Sequence, residues 1–179
     1  MSLRLAVLAM LDLEPASGYA LLRRFQNSAG FFWHTSHQQL YKELHALHAE
    51  GLVDCLEVEQ DGKPDMKVYT LNERGGRELD VLLAAAATPL KIRDPLLVKL
   101  FAGRRLPTSE LRAELERHRE QHRQTLATYE ELVAYLAAMP AERSQRYFYP
   151  RQTLRMGVLY EKAWLQWCDE VMADMAARA

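Results

Sequence analysis

Residues 36–53 of the chain read SHQQLYKELHALHAEGLV, and this stretch decides the fold class. Its leucines fall at positions 40, 44 and 47, which is the spacing of one face of an α-helix. Ser36 is a typical N-cap, and Gly51 is typical of the position just after a helix C-terminus. The stretch therefore predicts a helix over residues 37–50 that buries the three leucines and turns its polar side chains outward.

The sequence before this helix predicts two shorter helices. Apolar residues at helical spacing favour a helix over residues 3–13, which Pro15 ends. Ser17 is the expected N-cap of a second helix that runs to about residue 28. This second helix is expected to bury Tyr19, Leu22 and Phe25.

The sequence after residue 51 predicts a β-hairpin and a fourth helix. Residues 52–60 and 67–71 are predicted strands, and the turn cluster between them is Asp-Gly-Lys-Pro-Asp at residues 61–65. Asn72 is the expected N-cap of a helix that reaches about residue 87. Three short helices followed by a hairpin describe a winged helix-turn-helix. In that arrangement the third helix enters the DNA major groove and the hairpin lies along the backbone.

The third predicted helix offers a polar face to DNA. On a helical wheel, Gln38, Lys42 and His45 lie opposite the leucines. Gln pairs bidentately with adenine and Lys donates to guanine, so Gln38 and Lys42 are predicted base contacts. The same side chains would suit an ordinary solvated helix face, and the position of the helix between two short helices and a hairpin favours DNA. The predicted DNA contacts are Ser36, His37, Gln38, Gln39, Tyr41, Lys42, His45, Lys63 and Lys67, with Ser36, Tyr41, Lys63 and Lys67 as phosphate ligands.

The sequence after Pro89 predicts helices over residues 95–102, 108–139 and 150–177. The middle helix has its inward positions in steps of four and three, as in a coiled-coil seam. The last helix carries more large apolar side chains than one face of a small monomer buries, so a second subunit is expected. The predicted dimer contacts are Leu111, Leu115, His118, His122, Leu154, Val158, Trp164, Leu165, Trp167 and Met172.

The predicted fold is therefore mainly α with a small β-hairpin. A winged helix-turn-helix DNA-binding domain is expected over residues 1–90, and a helical dimerisation domain over residues 91–179. The composition, with 49% hydrophobic and 26% charged residues in 179, is that of an ordinary soluble domain. The absence of a long apolar run excludes a membrane span, and two distant cysteines, Cys55 and Cys168, fit a reducing compartment. A cytoplasmic protein without membrane association is expected.

The charge balance argues against a generally basic DNA-binding surface. The net charge is −1, and the first 90 residues carry 8 Lys and Arg against 12 Asp and Glu. DNA binding would therefore require a local basic surface on an acidic body. The same acidity is the main support for an alternative, in which the winged helix is a protein-interaction module and the long helices are a scaffold.

Four motifs, in this order, resemble those of the PadR family of bacterial transcriptional regulators. They are SGYAL at residues 17–21, HQQLYKEL at 37–44, EGLV at 50–53 and GKPDMKVY at 62–69. In the second half, DPLLVKLF at residues 94–101 and the terminal helices resemble the virulence-activator type of C-terminal domain. The resemblance implies a dimeric winged-helix repressor or activator whose C-terminal helices form the dimer, and some members bind small aromatic or drug-like effectors. Met66 stands where the family often has a basic residue, which removes one phosphate contact.

None of the remaining candidate sites has a full set of metal-binding, catalytic or cofactor-binding residues. His118 and His122 lie four residues apart, but two ligands are too few for a metal site. No catalytic or cofactor motif is present, so no enzyme, metal or cofactor is predicted. An aromatic set is compatible either with an effector pocket or with core packing; its members are Phe31, Phe32, Trp33, Tyr147, Phe148, Tyr149, Trp164 and Trp167.

The sequence thus predicts a homodimeric transcriptional regulator, most simply a repressor, on a pseudo-palindromic operator. Two alternatives stay open. One is an effector-responsive repressor with a small-molecule pocket between its domains, and the other is the protein-interaction module.

Overall fold

The structure is a computed structural model that describes residues 3–25, 33, 35–59, 66–89 and 91–178. It is mainly helical with a small antiparallel sheet, which confirms the predicted fold class. The chain divides into two compact units, Met1–Thr88 and Pro89–Ala179. Within the described ranges, no helix is both long and apolar enough to cross a membrane.

The first unit begins with three short helices around an apolar core. Helix α1 spans Leu3–Leu13, α2 spans Gly18–Arg24 and α3 spans His37–Ala49. The predicted burial of Tyr19 is wrong, because Leu21 takes the inward side of α2 and leaves Tyr19 65% exposed. The helices meet through side chains that are at most 2% exposed: Val7, Leu8, Leu11, Leu21, Phe25, Leu40, Leu44 and Leu47.

A three-stranded antiparallel sheet completes this core. Strand β2 spans Val53–Val58 and β3 spans Met66–Leu71, and the two form a hairpin that we call the wing. The other edge of β3 pairs with a two-residue strand, β1, at Ala16–Ser17. Two residues between helices carry no periodicity, so the sequence gives no sign of β1. The turn at residues 61–65, with the predicted phosphate ligand Lys63, lies outside the described residues.

Helix α4 follows the sheet and spans Glu73–Ala84, so it ends earlier than predicted. Asn72 caps it as predicted, because its side-chain oxygen accepts a hydrogen bond from the Gly75 amide at 3.0 Å. Gly75 also marks a very close approach, since a Cβ at this position would lie 2.1 Å from the carbonyl oxygen of Leu52. The start of α4 is therefore fixed against the segment that enters β2.

The second unit is built on two long helices that pack along each other. These are α6, Thr108–Ala137, and α8, Phe148–Ala177. Helix α8 begins before Pro150 because a proline is tolerated in the first helical turn, where amide groups have no partner within the helix.

Each long helix is preceded by a short one. Helix α5 spans Pro95–Phe101 and is capped by Asp94, whose carboxylate accepts from the Leu96 amide at 2.8 Å. Helix α7 spans Ala141–Arg146 and was not predicted, because a six-residue polar helix has no apolar stripe. The buried cluster of the second unit consists of Leu96, Leu111, Leu115 and Cys168, with Trp164, Trp167 and Met172 among the residues packed against it.

Candidate nucleic-acid interface

The start of α3 is held in place by a reciprocal pair of hydrogen bonds. The Ser36 hydroxyl accepts from the Gln39 amide at 3.2 Å, and the Gln39 side-chain oxygen accepts from the Ser36 amide at 3.1 Å. This capping box satisfies two backbone donors and fixes the direction in which the helix leaves the preceding loop. The side-chain oxygen of Gln39 is engaged in this cap, and the predicted DNA contact of Gln39 stays a prediction.

The outward face of α3 is a row of exposed polar side chains. Gln38, Lys42 and His45 are all exposed, while Leu40 and Leu44 on the opposite face are fully buried. Spacings of four and three residues place the three polar side chains on one line along the helix. The structure thus brings Gln38, Lys42 and His45 together as expected, and their role in reading bases stays a prediction.

Tyr41 connects this row to the second helix. Its ring stacks on His37 with centroids 4.3 Å apart and also lies against Gly18, where a Cβ would come within 2.6 Å of the ring. Gly18 at the start of α2 is therefore the residue that allows the two helices to approach at this point. Sequence reasoning did not assign Gly18 a role, although its place directly after the Ser17 cap is a usable signal.

The wing presents a cation that is already paired. Lys67 lies opposite Glu57 in the strand register, and the two charged groups are 2.9 Å apart. The hydrogen bond from Lys67 to the Glu57 carboxylate raises the pKa of Lys67 above its ordinary value. Glu59, two positions further along the chain, is exposed as well. The predicted phosphate ligand Lys67 is thus placed on the wing, but with an acidic neighbour in contact.

Arg4 is held on the other side of α3. It forms ion pairs with Glu43 at 3.1 Å and with Glu50 at 2.6 Å, and its hydrogen bond to Glu50 is the main reason why the pKa of Arg4 is raised. The two contacts tie α1 to the middle and to the C-terminal end of the third helix. Arg4 therefore positions α3 and is not a free cation for DNA.

The predicted dimer contacts lie on α6 and α8, two helices that also pack along each other within one chain. Leu111, Leu115 and Leu154 are at most 5% exposed in that chain, and Val158, Leu165, Trp167 and Met172 are partly buried there. Leu111, Leu115, Trp164, Trp167 and Met172 belong to one packed cluster of the second unit, and the contact of the predicted residues with a second subunit stays a prediction. The spacing of a seam cannot distinguish a helix of the same chain from a helix of another subunit.

A buried acid lies in this seam. The carboxylate of Glu161 is 2.5 Å from Nδ1 of His122, and the Glu161 side chain is 4% exposed. The His122 ring stacks on Trp164 with centroids 3.8 Å apart, and His118 lies on the same indole at 6.2 Å. Glu161 was missed, although it continues the four-three spacing from Leu154 that sequence analysis used on α6.

Other apolar side chains of the second unit stay exposed. Phe101 at the end of α5 is 95% exposed, and Val98 on the same helix is 68% exposed. The further exposed apolar residues of this unit are Ile92, Leu97, Leu106, Val133, Tyr135, Phe148, Tyr149, Met156, Leu159 and Tyr160. Exposed apolar side chains thus lie on α5, α6 and α8 of this unit.

The predicted aromatic set is distributed over both units. Trp33 packs against the core of the first unit, whereas Trp164 and Trp167 lie 5.3 Å apart in the second unit. Phe148 and Tyr149 contact each other edge to face and are exposed. Phe31 and Phe32 lie outside the described residues, and Tyr147 is partly buried. Among the residues that are described, no group of three or more His, Cys, Asp or Glu side chains is arranged to hold a metal ion.

Comparison with known families accounts for both units. Residues 7–81 match the model of the transcriptional regulator PadR-like family, and residues 92–176 match that of the virulence activator alpha C-terminal domain. A probable transcriptional regulator of Mycobacterium tuberculosis is 30% identical over 182 residues, which cover 96% of each chain. The negative transcriptional regulator PadR of Bacillus subtilis is 27% identical, again over 96% of each chain.

Solved structures agree over nearly the full length. Bacillus subtilis PadR in complex with operator DNA is 26% identical with a TM-score of 0.79, and the match covers 97% of each chain. The same protein in complex with p-coumaric acid gives a TM-score of 0.70 at 25% identity, covering 97% of this chain and 95% of that one. The Vibrio cholerae virulence activator AphA is 31% identical with a TM-score of 0.73, covering 99% of this chain and 100% of that one.

Proposed function

Because the chain belongs to the PadR-like family of transcriptional regulators, we propose that it binds a pseudo-palindromic operator as a homodimer and represses transcription. The observation that carries this proposal is the exposed row of Gln38, Lys42 and His45 on a helix whose start is fixed by a capping box. A relative with the same architecture has been solved on its operator DNA. The name of that relative as a negative regulator supports repression.

Each part of the interface has a separate role in this proposal. Gln38 and Lys42 read base edges in the major groove, with His45 further along the same line. Ser36, at the helix N-terminus, and Tyr41 hold phosphates, as helix N-termini commonly do. Lys67 and Lys63 hold phosphates from the wing. These phosphate contacts orient the helix but carry no sequence information themselves.

The exposed apolar surface of the second unit supports the homodimer. Phe101 and Val98 are 95% and 68% exposed, and apolar side chains in such numbers are rarely left in water by a monomer. A two-fold dimer would place its two α3 helices on half-sites about 10 base pairs, or a multiple of that distance, apart. The operator is then expected to have the same symmetry as the protein.

The decisive experiment is selection from a random duplex pool at low and at physiological salt, followed by sequencing. Enrichment of a two-fold symmetric motif is the expected result, and the separation of its halves gives the geometry of the dimer. Retention of duplexes that share no motif would show that the protein makes only non-specific electrostatic contacts with DNA. No retention at either salt concentration would overturn the proposal and favour the protein-interaction module.

A small aromatic effector is the second candidate. It is favoured by the relative solved with p-coumaric acid. Trp33 in the first unit and Trp164 and Trp167 in the second provide an intrinsic readout of ligand binding. Titration with p-coumaric acid is expected to change tryptophan fluorescence saturably and to release the selected duplex. A fluorescence change without release of the duplex would show that the compound binds but does not regulate DNA binding. No fluorescence change would exclude p-coumaric acid as the effector.

A further inference from the structure

A lysine of the wing forms an ion pair with a glutamate of the same hairpin. Along α3, β2 and β3, the only lysines or arginines among the described residues are Lys42 and Lys67. Lys67 forms an ion pair with Glu57, in which Nζ and Oε1 are 2.9 Å apart. Of these two described cations, Lys67 is therefore already paired before DNA arrives.

The strand register makes this pairing a built-in feature of the hairpin. Val53 and Leu71, Cys55 and Tyr69, and then Glu57 and Lys67 are successive opposite pairs on one face of the antiparallel ladder. Tyr69, in the middle pair, is 2% exposed and belongs to the core of the first unit. The Glu57–Lys67 pair continues the same face beyond the core, where its side chains are 64% and 56% exposed. Opposite charges facing each other across strands attract, so the ladder holds Glu57 beside Lys67.

We propose that Glu57 is an affinity-setting residue, which competes with DNA phosphate for Lys67 and thereby weakens non-specific binding. This inference rests on the proposed function, since it requires DNA at the wing. To contact a phosphate, Lys67 must leave Glu57, and the released carboxylate then faces the polyanion. An exposed ion pair of this kind opposes binding by up to about fivefold. Contacts to base edges are unaffected, so the competition lowers the affinity for specific and for non-specific DNA by the same factor.

Four variants, with Lys67→Gln alone as the reference for two of them, separate this competition from a general effect of charge. Glu57→Gln removes the carboxylate, while Glu59→Gln removes an equal charge from an exposed residue two positions along the chain. Each change is made with Lys67 intact and with Lys67→Gln. Affinity is measured by fluorescence anisotropy on a duplex recovered by the selection and on a scrambled duplex of the same composition, over a series of salt concentrations. Thermal unfolding of every variant verifies the fold.

The expected result is a specific coupling between Glu57 and Lys67. With Lys67 intact, Glu57→Gln tightens binding to both duplexes by about fivefold at low salt and steepens the salt dependence by up to about one unit. In the Lys67→Gln background, its effect falls to that of Glu59→Gln. Equal effects of Glu57→Gln and Glu59→Gln in both backgrounds would overturn the inference while leaving DNA binding established. Failure of the unaltered protein to bind either duplex would overturn the proposed function as well.

Discussion

Two adjacent glycines of α4 differ sharply in their surroundings. A Cβ at Gly75 would lie 2.1 Å from the carbonyl oxygen of Leu52, whereas a Cβ at Gly76 would have no atom within 4 Å. Gly75→Ala is expected to lower the free energy of unfolding by about 2–3 kcal/mol through overpacking. Gly76→Ala is expected to raise it by about 0.5–1 kcal/mol, because alanine is the better helix former. Urea denaturation measures both signs, and a Gly75→Ala variant that is as stable as the unaltered protein would contradict the close approach to Leu52.

The exposed and capping residues of α3 are expected to separate specificity from stability. Gln38→Ala should reduce discrimination at one base position by about 1–3 kcal/mol and leave unfolding unchanged, because Gln38 is exposed. Ser36→Ala should lower the free energy of unfolding by about 1 kcal/mol, because the Gln39 amide loses its acceptor.

The measurement for these two variants is binding to the selected duplex and to its single-base variants, together with urea denaturation. Ser36→Ala should weaken binding to every duplex alike. If Gln38→Ala also weakened all duplexes equally, Gln38 would be a backbone contact and not a base contact.

Between elements, the pair of His122 and Glu161 joins α6 to α8 in the second unit. Loss of the His122 partner leaves the Glu161 carboxylate, which is 4% exposed, without this hydrogen bond. His122→Phe keeps a ring for stacking on Trp164 but is expected to lower the free energy of unfolding by about 3 kcal/mol. Adding Glu161→Leu should restore most of that loss, because an apolar pair replaces the buried charge. Chemical denaturation of the single and double variants checks this; a double variant no more stable than His122→Phe would show that the loss came from stacking.

The elements also show how far local sequence determines structure here. The third helix, its Ser36 cap and the Asn72 cap of α4 were predicted because capping and apolar spacing act within a few residues. The wing strands followed from alternation and a turn cluster. Strand β1 was not predictable in this way, since its two residues are a strand only because they meet β3.

The candidate site was predictable to a similar degree. The exposed row on α3 follows from helical geometry, so Gln38, Lys42 and His45 were placed correctly on one face. The contacts of Gly18 with Tyr41 and of Glu57 with Lys67 depend on tertiary approach and strand register. The packing of α8 along α6 is likewise a property of the folded chain, and the contact of these helices with a second subunit stays a prediction.

At the scale of the whole molecule, we expect that replacing an exposed apolar side chain of the second unit weakens dimerisation. Phe101→Ser removes an aromatic residue that is 95% exposed, so the monomer should fold normally. The dissociation constant of the dimer is expected to rise about tenfold or more, as for a central aromatic contact. Leu56→Ser, at a 67% exposed position on the wing, is the control and should leave the dimer intact. Analytical ultracentrifugation over a concentration series distinguishes the two, and equal dimer dissociation constants would exclude Phe101 from the interface.

Strand β1 has a consequence for the order in which the first unit is assembled. Ser17 pairs with Val68, so the chain must close a loop of about fifty residues before this short strand exists. Long-range closure of this kind is slow compared with helix formation. As the chain emerges from the ribosome, α1, α2 and α3 are complete well before β3 is available. Strand β3 contacts α1 and α2, and both of these helices contact α3. These contacts of β3 form only after residue 71 has been made, so a nascent chain stopped short of that point has the residues of α3 without the sheet that completes the first unit.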